Sequence, residues 1–470
     1  MGNVFRVHFA TAARFAGAFA LAAVLGACGV APVPVPRAEV PTAWPQPDDA
    51  AALGPAPDLR LWWRAFGDAA LDDLVDRALA ENLTIEQAEY RLRAARALAR
   101  RSNAEDKPEV GAHTFSEPAP DSSASYFQAG FDAKWEWGLF GRAESNARVA
   151  EADLGLAAID VDAARVSVVA EVARTYVDLR AAERRLALAT QLADTSRKKQ
   201  ALVATRERLR LASARDAAGS AAELASAEAA LLEPRLAIER DRRALAVLLG
   251  RREPVTLDAA RATPAVGAFM LDTAPADLLR TRPEIRKAEL EILKSAGELG
   301  IARADLYPRF ALGGSLTASA RVVGHTRLAD ADSIVAFGPL IDVPIFDWGA
   351  RRAVVDARDA ELRASVLAYR QAVLEGVAEA ETAMATLEHQ RERADALARA
   401  ADALAQGDAS AATLRRLGLA DDVDRAAATS AVLQARRDLV EAEEARNLSF
   451  IALYKSLGGA PLPVSAEPAP

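Results

Sequence analysis

Residues 349–457 place the strongest constraint on what this chain can fold into, because the stretch contains no proline and very little glycine. Its apolar residues recur every three or four positions, which is the period of an amphipathic helix. The first sequence that favours a turn is Leu417-Gly418-Leu419, so we predict one helix over about 350–416. At ~1.5 Å per residue, that helix would be roughly 100 Å long. Such a rod predicts a coiled coil or a helical tube rather than a single globular domain.

Composition argues against several classes of function. The 470 residues carry a net charge of -8 with both signs interspersed, whereas a nucleic-acid-binding surface is basic. The four histidines lie far apart, and the single cysteine, Cys28, allows no intrachain disulfide. The sequence contains no Walker loop, Gly-x-Ser-x-Gly motif or cluster of metal ligands. We therefore expect no enzyme, no cofactor, no metal site and no nucleic-acid partner.

The amino terminus has the features of an export signal. Arginines precede a short apolar run, residues 15–27, which ends in Leu-Gly-Ala directly before Cys28. Leu-Gly-Ala-Cys resembles the bacterial lipobox, in which the signal is cleaved before the cysteine and the sulfur receives diacylglycerol. Gly29, which is not Asp, then indicates the outer membrane; the alternative is a buried cysteine after an ordinary signal. We predict a signal peptide over 1–27 and a lipidated, proline-rich linker over 28–58.

The chain contains a tandem repeat. Asn82-Leu-Thr-Ile-Glu-Gln-Ala-Glu aligns with Arg282-Pro-Glu-Ile-Arg-Lys-Ala-Glu at an offset of 200, and Arg210-Leu211-Ala212 aligns with Arg416-Leu417-Gly418 at an offset of 206. Each half is predicted to run helix, two strands, long helix, turn and helix. The predicted domains are a first repeat over 59–258 with strands at about 109–140, a second repeat over 259–461 with strands at about 309–346, and a flexible tail over 462–470.

Four segments alternate between apolar and polar residues, which is the pattern of a β-strand. The first, about 110–116, alternates least clearly, and whether it crosses a membrane stays open. In the other three, one face carries Phe127, Ala129, Phe131, Ala133, Trp135 and Trp137, then Phe310, Leu312, Leu316, Ala318 and Ala320, then Val335, Phe337, Ile341, Val343 and Ile345. The pattern fits membrane-spanning strands with an aromatic girdle of Trp135, Trp137 and Trp348, and it fits a soluble sheet packed on helices equally well.

A membrane location would have a consequence for assembly. Four strands with open edges leave backbone amides unsatisfied in lipid, and closed outer-membrane barrels have about eight strands or more. Three copies would supply twelve strands, together with enough helices to close a tube. If the strands lie in the membrane, the sequence therefore predicts a homotrimer.

Five motifs follow one another along the chain: the lipobox ending at Cys28, Leu61-Trp62-Trp63-Arg64-Ala65-Phe66-Gly67-Asp68, Trp135-Glu136-Trp137-Gly138-Leu139-Phe140-Gly141-Arg142, Pro344-Ile345-Phe346-Asp347-Trp348-Gly349 and Leu453-Tyr454-Lys455-Ser456-Leu457-Gly458-Gly459. Together they resemble the TolC-like outer-membrane efflux factors, within these most of all the lipidated NodT-type members paired with resistance-nodulation-division pumps. The resemblance covers about residues 57–461. It implies a mainly α fold with a small β part, in which long helical hairpins form a periplasmic tunnel and four strands per chain join a trimeric, twelve-stranded transmembrane β-barrel.

The resemblance also implies a function. It implies a lipoprotein channel in the outer membrane that extends into the periplasm and serves a tripartite efflux system as a passive exit duct for small molecules such as drugs. Its partners would be a periplasmic adaptor protein, an inner-membrane transporter and outer-membrane lipid. Two alternatives stay open: a structural coiled-coil lipoprotein of the envelope, and a duct for type I protein secretion.

The two helix–turn–helix tips are the functional sites that the resemblance implies, because in this family they contact the adaptor and close the pore. The candidate adaptor contacts are Leu209, Leu211, Ala212, Ser213, Leu417, Gly418 and Leu419. The candidate gate residues are Asp421, Asp422, Asp424, Arg416 and Arg425. Gly418 and Asp424 match the family's spacing, whereas Ala427 stands where the family often has a second Asp. Acids in the first turn of a helix also have a structural explanation, since they complement the helix dipole.

Overall fold

The computed structural model describes residues 54–105, 107–117, 126–258, 264–267, 269–270, 281–323 and 327–459. The first half contains strand β1 (Gly54–Pro55), a 3-10 helix (Trp62–Phe66), helices α1 (Ala69–Glu81) and α2 (Leu83–Glu105), strands β2 (Glu109–Glu117) and β3 (Tyr126–Trp137), and helices α3 (Arg142–Arg208), α4 (Ala214–Ala229) and α5 (Leu232–Leu248). The second half contains β4 (Phe269–Met270), α6 (Pro283–Ala304), β5 (Arg309–Val323), β6 (Arg327–Asp342), α7 (Ala350–Arg416) and α8 (Asp422–Ser456). The predicted signal peptide, Cys28, most of the linker and the tail lie outside the described residues.

The order of elements follows the predicted repeat. Each half runs helix, two strands, a helix of 67 residues, a turn and a further helical segment. The long helix α7 has the predicted bounds, because nothing before Gly418 interrupts the 3.6-residue period of its apolar positions. The mainly α fold with a four-stranded sheet, predicted from the sequence, is thus confirmed.

The last helix of the first repeat differs from the prediction, because it is interrupted at Ala230 and Leu231. Pro234 lies in the first turn of α5, where proline is tolerated, since the N–H groups of a first turn have no intrahelical acceptor. Lacking an N–H, Pro234 cannot donate to the Ala230 carbonyl, so one uninterrupted hydrogen-bond ladder cannot pass this point. The corresponding helix α8 contains no proline and continues for 35 residues.

Strands β2, β3, β5 and β6 form one antiparallel sheet in that order. The register places apolar residues opposite one another, with Phe131 opposite Leu316 and Leu316 opposite Val335. The shared apolar face is open in the single chain, where Phe337 and Val335 are each 75% exposed. The weakly patterned first strand is a strand as well and pairs with β3 along its whole length.

The end of β6 differs from the prediction, which placed Val343 and Ile345 on this strand. β6 ends at Asp342 because β5 begins at Arg309, directly opposite Asp342, and offers no further backbone partner. Val343 and Ile345 therefore follow the strand and are exposed.

The chain forms two compact units. One comprises Tyr90–Ala158 with Lys287–Gln371 and includes the four-stranded sheet, and the other contains the remaining described residues. Among the helices of the described segments, none combines the length and the apolar character that crossing a membrane requires.

An aromatic core in the second unit explains two of the sequence motifs. Trp62 is fully buried, and its indole N–H donates to the Gly459 carbonyl at 3.0 Å. Its ring stacks on Tyr454 at a centroid distance of 5.9 Å and meets Phe450 edge-on at the same distance. The Tyr454 hydroxyl donates to the Pro57 carbonyl at 3.0 Å. The Leu-Trp-Trp opening and the Leu-Tyr-Lys ending therefore pack against each other.

Candidate functional site at the helical tips

Both long helices end in the same kind of turn. After α3, Arg210 has a left-handed φ of 61°, and the Leu211 N–H donates to the Arg206 carbonyl at 2.7 Å. After α7, Gly418 has a φ of 74°, and the Leu419 N–H donates to the Leu414 carbonyl at 2.9 Å. These are the features of a Schellman C-cap, which satisfies carbonyls that the helix end leaves free.

The helix that follows each turn begins with a capping box. At α4, the Ser213 hydroxyl accepts from the Asp216 N–H at 3.2 Å, and the Asp216 carboxylate accepts from the Ser213 N–H at 3.1 Å. At α8, the Asp421 carboxylate accepts from the Asp424 N–H at 2.9 Å, and the Asp424 carboxylate accepts from the Asp421 N–H at 3.3 Å. Asp421 and Asp424 thus have a structural role in starting α8.

These turns correct the alignment of the two tips. The sequence comparison paired Arg210 with Arg416, but the residue with positive φ that matches Arg210 is Gly418. The offset is therefore 208, and it also matches Ser213 with the cap residue Asp421. The sequence comparison aligned two identical Arg-Leu pairs. The equivalent positions are defined by the backbone conformation of the turn, so these identical pairs are not equivalent. The shared pattern Leu-Ala, then Ser or Asp, then Asp three residues later would have revealed it.

Two ion pairs involve the acidic residues of the second tip. Arg206, in the last turn of α3, lies 2.9 Å from Asp421 (Nη1 to Oδ2), so it connects the first hairpin to the second. Arg415 pairs with Asp422 within the second hairpin. The N–H of Asp424 lowers the pKa of the Asp421 carboxyl below its usual range, and Arg206 adds to this effect. Asp421 is therefore charged at neutral pH, and its ion pair with Arg206 connects the second repeat to the first.

The other candidate residues lie around these turns. The leucines at positions 209, 211, 417 and 419, two at each tip, are between 64% and 74% exposed. Arg416 donates to the Thr413 hydroxyl at 3.1 Å, and Arg425 is half-buried in the first turns of α8.

The sequence analysis missed Arg206. The available signal in the sequence was that arginines at positions 206, 208 and 210 end the first long helix, whereas three aspartates follow the second one.

Comparisons with known proteins agree with the fold. The family profile described as "Outer membrane efflux protein" matches residues 74–251 and 274–459. Outer membrane protein OprJ of Pseudomonas aeruginosa is 31% identical, with 94% of this chain and 95% of OprJ covered. Nodulation protein T of Rhizobium leguminosarum bv. trifolii is 28% identical over 72% of this chain and 74% of its own length.

Solved structures give the same result. The outer-membrane channel OprN is 29% identical, with a TM-score of 0.76 over 91% of this chain and 98% of that chain. The resemblance to TolC-like efflux factors and the predicted fold class with two repeats are confirmed. This chain belongs to the outer membrane efflux protein family.

Proposed function

We propose that this protein is the outer-membrane exit channel of a tripartite efflux system and passes small molecules as a passive duct. The relatives include the "Toluene efflux pump outer membrane protein TtgF" of Pseudomonas putida, 27% identical over 96% of this chain. The observation that carries the proposal is the four-stranded sheet, which has one exposed apolar face and two open edges.

The sheet supports a trimer in a membrane. Within the described residues, β2 and β6 each pair with one strand only, so each presents a row of free backbone groups. An unsatisfied backbone group costs several kcal/mol in the hydrocarbon region, so on the order of ten such groups could not persist there. Closure with other copies removes both edges, and three copies give a barrel of twelve strands.

The tips support a contact with a partner and a gate. Their exposed leucines offer an apolar docking surface, which suits a periplasmic adaptor that connects the channel to an inner-membrane transporter. The Arg206–Asp421 ion pair is a contact that a closed state would hold and an open state would release. Asp422, Asp424, Arg416 and Arg425 remain proposed members of this gate.

Two further proposals concern the anchoring of the amino terminus and the limits of the two repeats. A diacylglycerol anchor on Cys28 would hold the amino terminus at the outer membrane. The two repeats, residues 59–258 and 259–461, would each form one supersecondary unit, since each contains one strand hairpin and one long helical hairpin.

Planar-bilayer recordings of the purified, detergent-solubilised protein test the channel. We expect discrete conductance steps, larger or more frequent in an Arg206→Ala variant if the wild-type tip is closed. A protein that gives no steps, even with the tip variant, would be a structural envelope lipoprotein and not a duct.

A further inference from the structure

The end of the sheet at which α3 and α7 begin carries several exposed aromatic side chains. Trp135 and Trp137 lie at the end of β3, with their rings edge to face at 5.8 Å, and are 37% and 43% exposed. Beyond β6, the rings of Phe346 and Trp348 lie 4.8 Å apart and are 73% and 90% exposed. In the channel proposed above, this end of the sheet lies at the periplasmic surface of the outer membrane, where tryptophan is favoured.

The β6–α7 junction has the backbone of the β3–α3 junction. Phe140 and Trp348 have left-handed φ values of 56° and 57°, and the glycine that follows each has a φ of 80°. The offset between the two junctions is therefore 208, the same as at the tips. Side chains that differ by this offset occupy equivalent positions and can be compared directly.

The first junction satisfies its aromatic and charged side chains within the chain. The Phe140 ring stacks on Tyr307 with centroids 4.8 Å apart, and Arg142 forms an ion pair with Asp305. In the first turn of α3 lies Glu144, and an acid is the residue that the positive end of the helix dipole favours.

The second junction carries the opposite charge. Arg352 occupies the position of Glu144, Arg351 lies beside it, and the first turn of α7 contains no acid. Two arginines there are unfavourable, because the positive end of the helix dipole repels cations. Arg351 lies 3.8 Å from Asp347 (Nε to Oδ2), whereas Arg352 forms no ion pair with any described residue, including Asp356 one turn further on. The junction therefore has positive charge without a counterion.

A cavity of about 310 Å³ lies at this junction. Its lining combines apolar side chains, among them Leu306 and Ile345, with the two arginines and Asp347. The Asp347 carboxylate is already engaged, since it accepts from the Gly349 N–H at 3.0 Å and from the Arg351 N–H at 3.1 Å. The cavity is large enough for a small ligand, and it places two guanidinium groups beside apolar surface.

We propose that this junction binds the phosphate of an anionic phospholipid in the periplasmic leaflet of the outer membrane. The guanidinium groups of Arg351 and Arg352 hold the phosphate at the positive end of α7, and Phe346 and Trp348 lie against the glycerol and the first acyl carbons. The inference rests on the channel function proposed above, because it requires the sheet to lie in the membrane. It adds a preference for headgroup charge, which aromatic side chains alone do not provide.

The combination of charge, apolar surface and position favours this occupant. A free phosphate ion would neutralise the arginines but leave Ile345, which is 91% exposed, and the two rings in water. An uncharged lipid would cover the rings but leave Arg352 without a counterion. The phosphates of lipopolysaccharide belong to the outer leaflet, at the opposite end of the sheet.

Quenching of Trp348 fluorescence by brominated lipid tests the proposal. The protein is reconstituted into phosphatidylcholine vesicles that contain an equal minor fraction of either brominated phosphatidylglycerol or brominated phosphatidylcholine. The contribution of Trp348 is the difference between the wild type and Trp348→Phe. Brominated phosphatidylglycerol should quench this contribution more strongly, because it carries the net negative charge that the site selects.

Removing the two arginines should abolish this preference. Each arginine near an anionic lipid surface strengthens binding roughly fivefold, so Arg351→Gln combined with Arg352→Gln should lower the relative affinity about 25-fold. The matched control is Arg363→Gln with Arg370→Gln, which removes the same charge from exposed positions of α7. Position 363 lies roughly 17 Å further along the helix at ~1.5 Å per residue, so the control should keep the preference.

Native mass spectrometry gives a second readout that does not depend on fluorescence. The protein is transferred from detergent that contains phosphatidylglycerol and phosphatidylcholine in equal amounts. The wild type and the Arg363/Arg370 control should retain phosphatidylglycerol in preference, whereas the Arg351/Arg352 variant should retain both lipids equally.

The outcomes separate the lipid site from the proposed function. Equal quenching by the two lipids in the wild type, or a preference that the control variant loses as well, would overturn the site. Absence of quenching by either lipid would also overturn it, since a neighbouring copy of the chain would then cover Trp348. Conductance recorded from the same preparations decides the rest. A conducting channel without lipid preference leaves the proposed function standing, whereas a wild type that neither conducts nor is quenched overturns both.

Discussion

Replacing Arg206 by alanine should shift the channel towards its open state. The Arg206–Asp421 pair connects the two hairpin tips, with side chains 36% and 43% exposed. An ion pair at this exposure contributes about 0.2–1 kcal/mol. In a trimer that opens in one step, three lost pairs amount to about 0.6–3 kcal/mol, since the contributions of distant sites add. The ratio of open to closed channels should therefore rise about 3- to 150-fold.

Two variants separate this effect from nonspecific changes at the tip. Asp421→Asn removes the charge but keeps an N-cap acceptor, so it should resemble Arg206→Ala without weakening α8. Arg415→Ala also loses a surface ion pair, but its partner Asp422 lies in the same hairpin and would move with it. We expect the open probability of Arg415→Ala to stay within about twofold of the wild type, because a pair within one hairpin is kept in both the closed and the open state.

Single-channel recording at two salt concentrations measures the effect. Raising the salt from about 0.15 M to about 1 M shortens the Debye length from ~8 Å to ~3 Å, which weakens an exposed ion pair. The wild type should therefore open more often at high salt, and Arg206→Ala should respond less. The reasoning is refuted if Arg206→Ala and Asp421→Asn leave the open probability unchanged while Arg415→Ala raises it.

Three further predictions concern the rest of the chain. Trp62→Phe should destabilise the protein by about 1–3 kcal/mol, since the buried Gly459 carbonyl loses its donor, and Trp62→Ala by about 3–5 kcal/mol; thermal unfolding followed by circular dichroism would show this order. Burial raises the pKa of Glu444 from 4.5 to about 7 despite the Arg185 guanidinium. Because the folded state then binds this proton more tightly than the unfolded state, the free energy of unfolding should fall as the pH rises from about 4.5 to about 7. In Glu444→Gln, the melting temperature should depend less on pH across this range. Cys28→Ala should abolish acylation, whereas the barrel can still insert; a free thiol at the mature wild-type terminus in mass spectrometry would contradict lipidation.

The parts of the fold that depend on local periodicity were predictable from the sequence. The bounds of α7 follow from its apolar repeat and from Gly418, which supplies the left-handed residue that ends the helix. The strands follow from their two-residue alternation. The end of β6 at Asp342 was not predictable, because it depends on where the partner strand β5 begins.

The site was predictable only in part. The acids of the second tip were identified, and the capping box at Asp421 and Asp424 has a local sequence pattern. The ion pair between Arg206 and Asp421 joins different repeats, so it depends on how the two hairpins pack. Side-chain periodicity carries no information about that packing, and nothing in the sequence distinguishes Arg206 from Arg208 and Arg210 as the partner of an acid in the other repeat.

The distribution of contacts at the tips indicates where movement should occur. Each turn is held by a Schellman bond and a reciprocal capping box, so backbone hydrogen bonds keep its shape. The exposed Arg206–Asp421 ion pair connects one tip to the other, and salt screens it. A rearrangement that opened a turn would break several hydrogen bonds, whereas one that moved the two tips apart would break the exposed Arg206–Asp421 pair and leave the α3–α8 pairs farther from the tips, such as Arg185–Glu444, in place. Opening should therefore move the end of α3 away from the start of α8 and leave both turns intact.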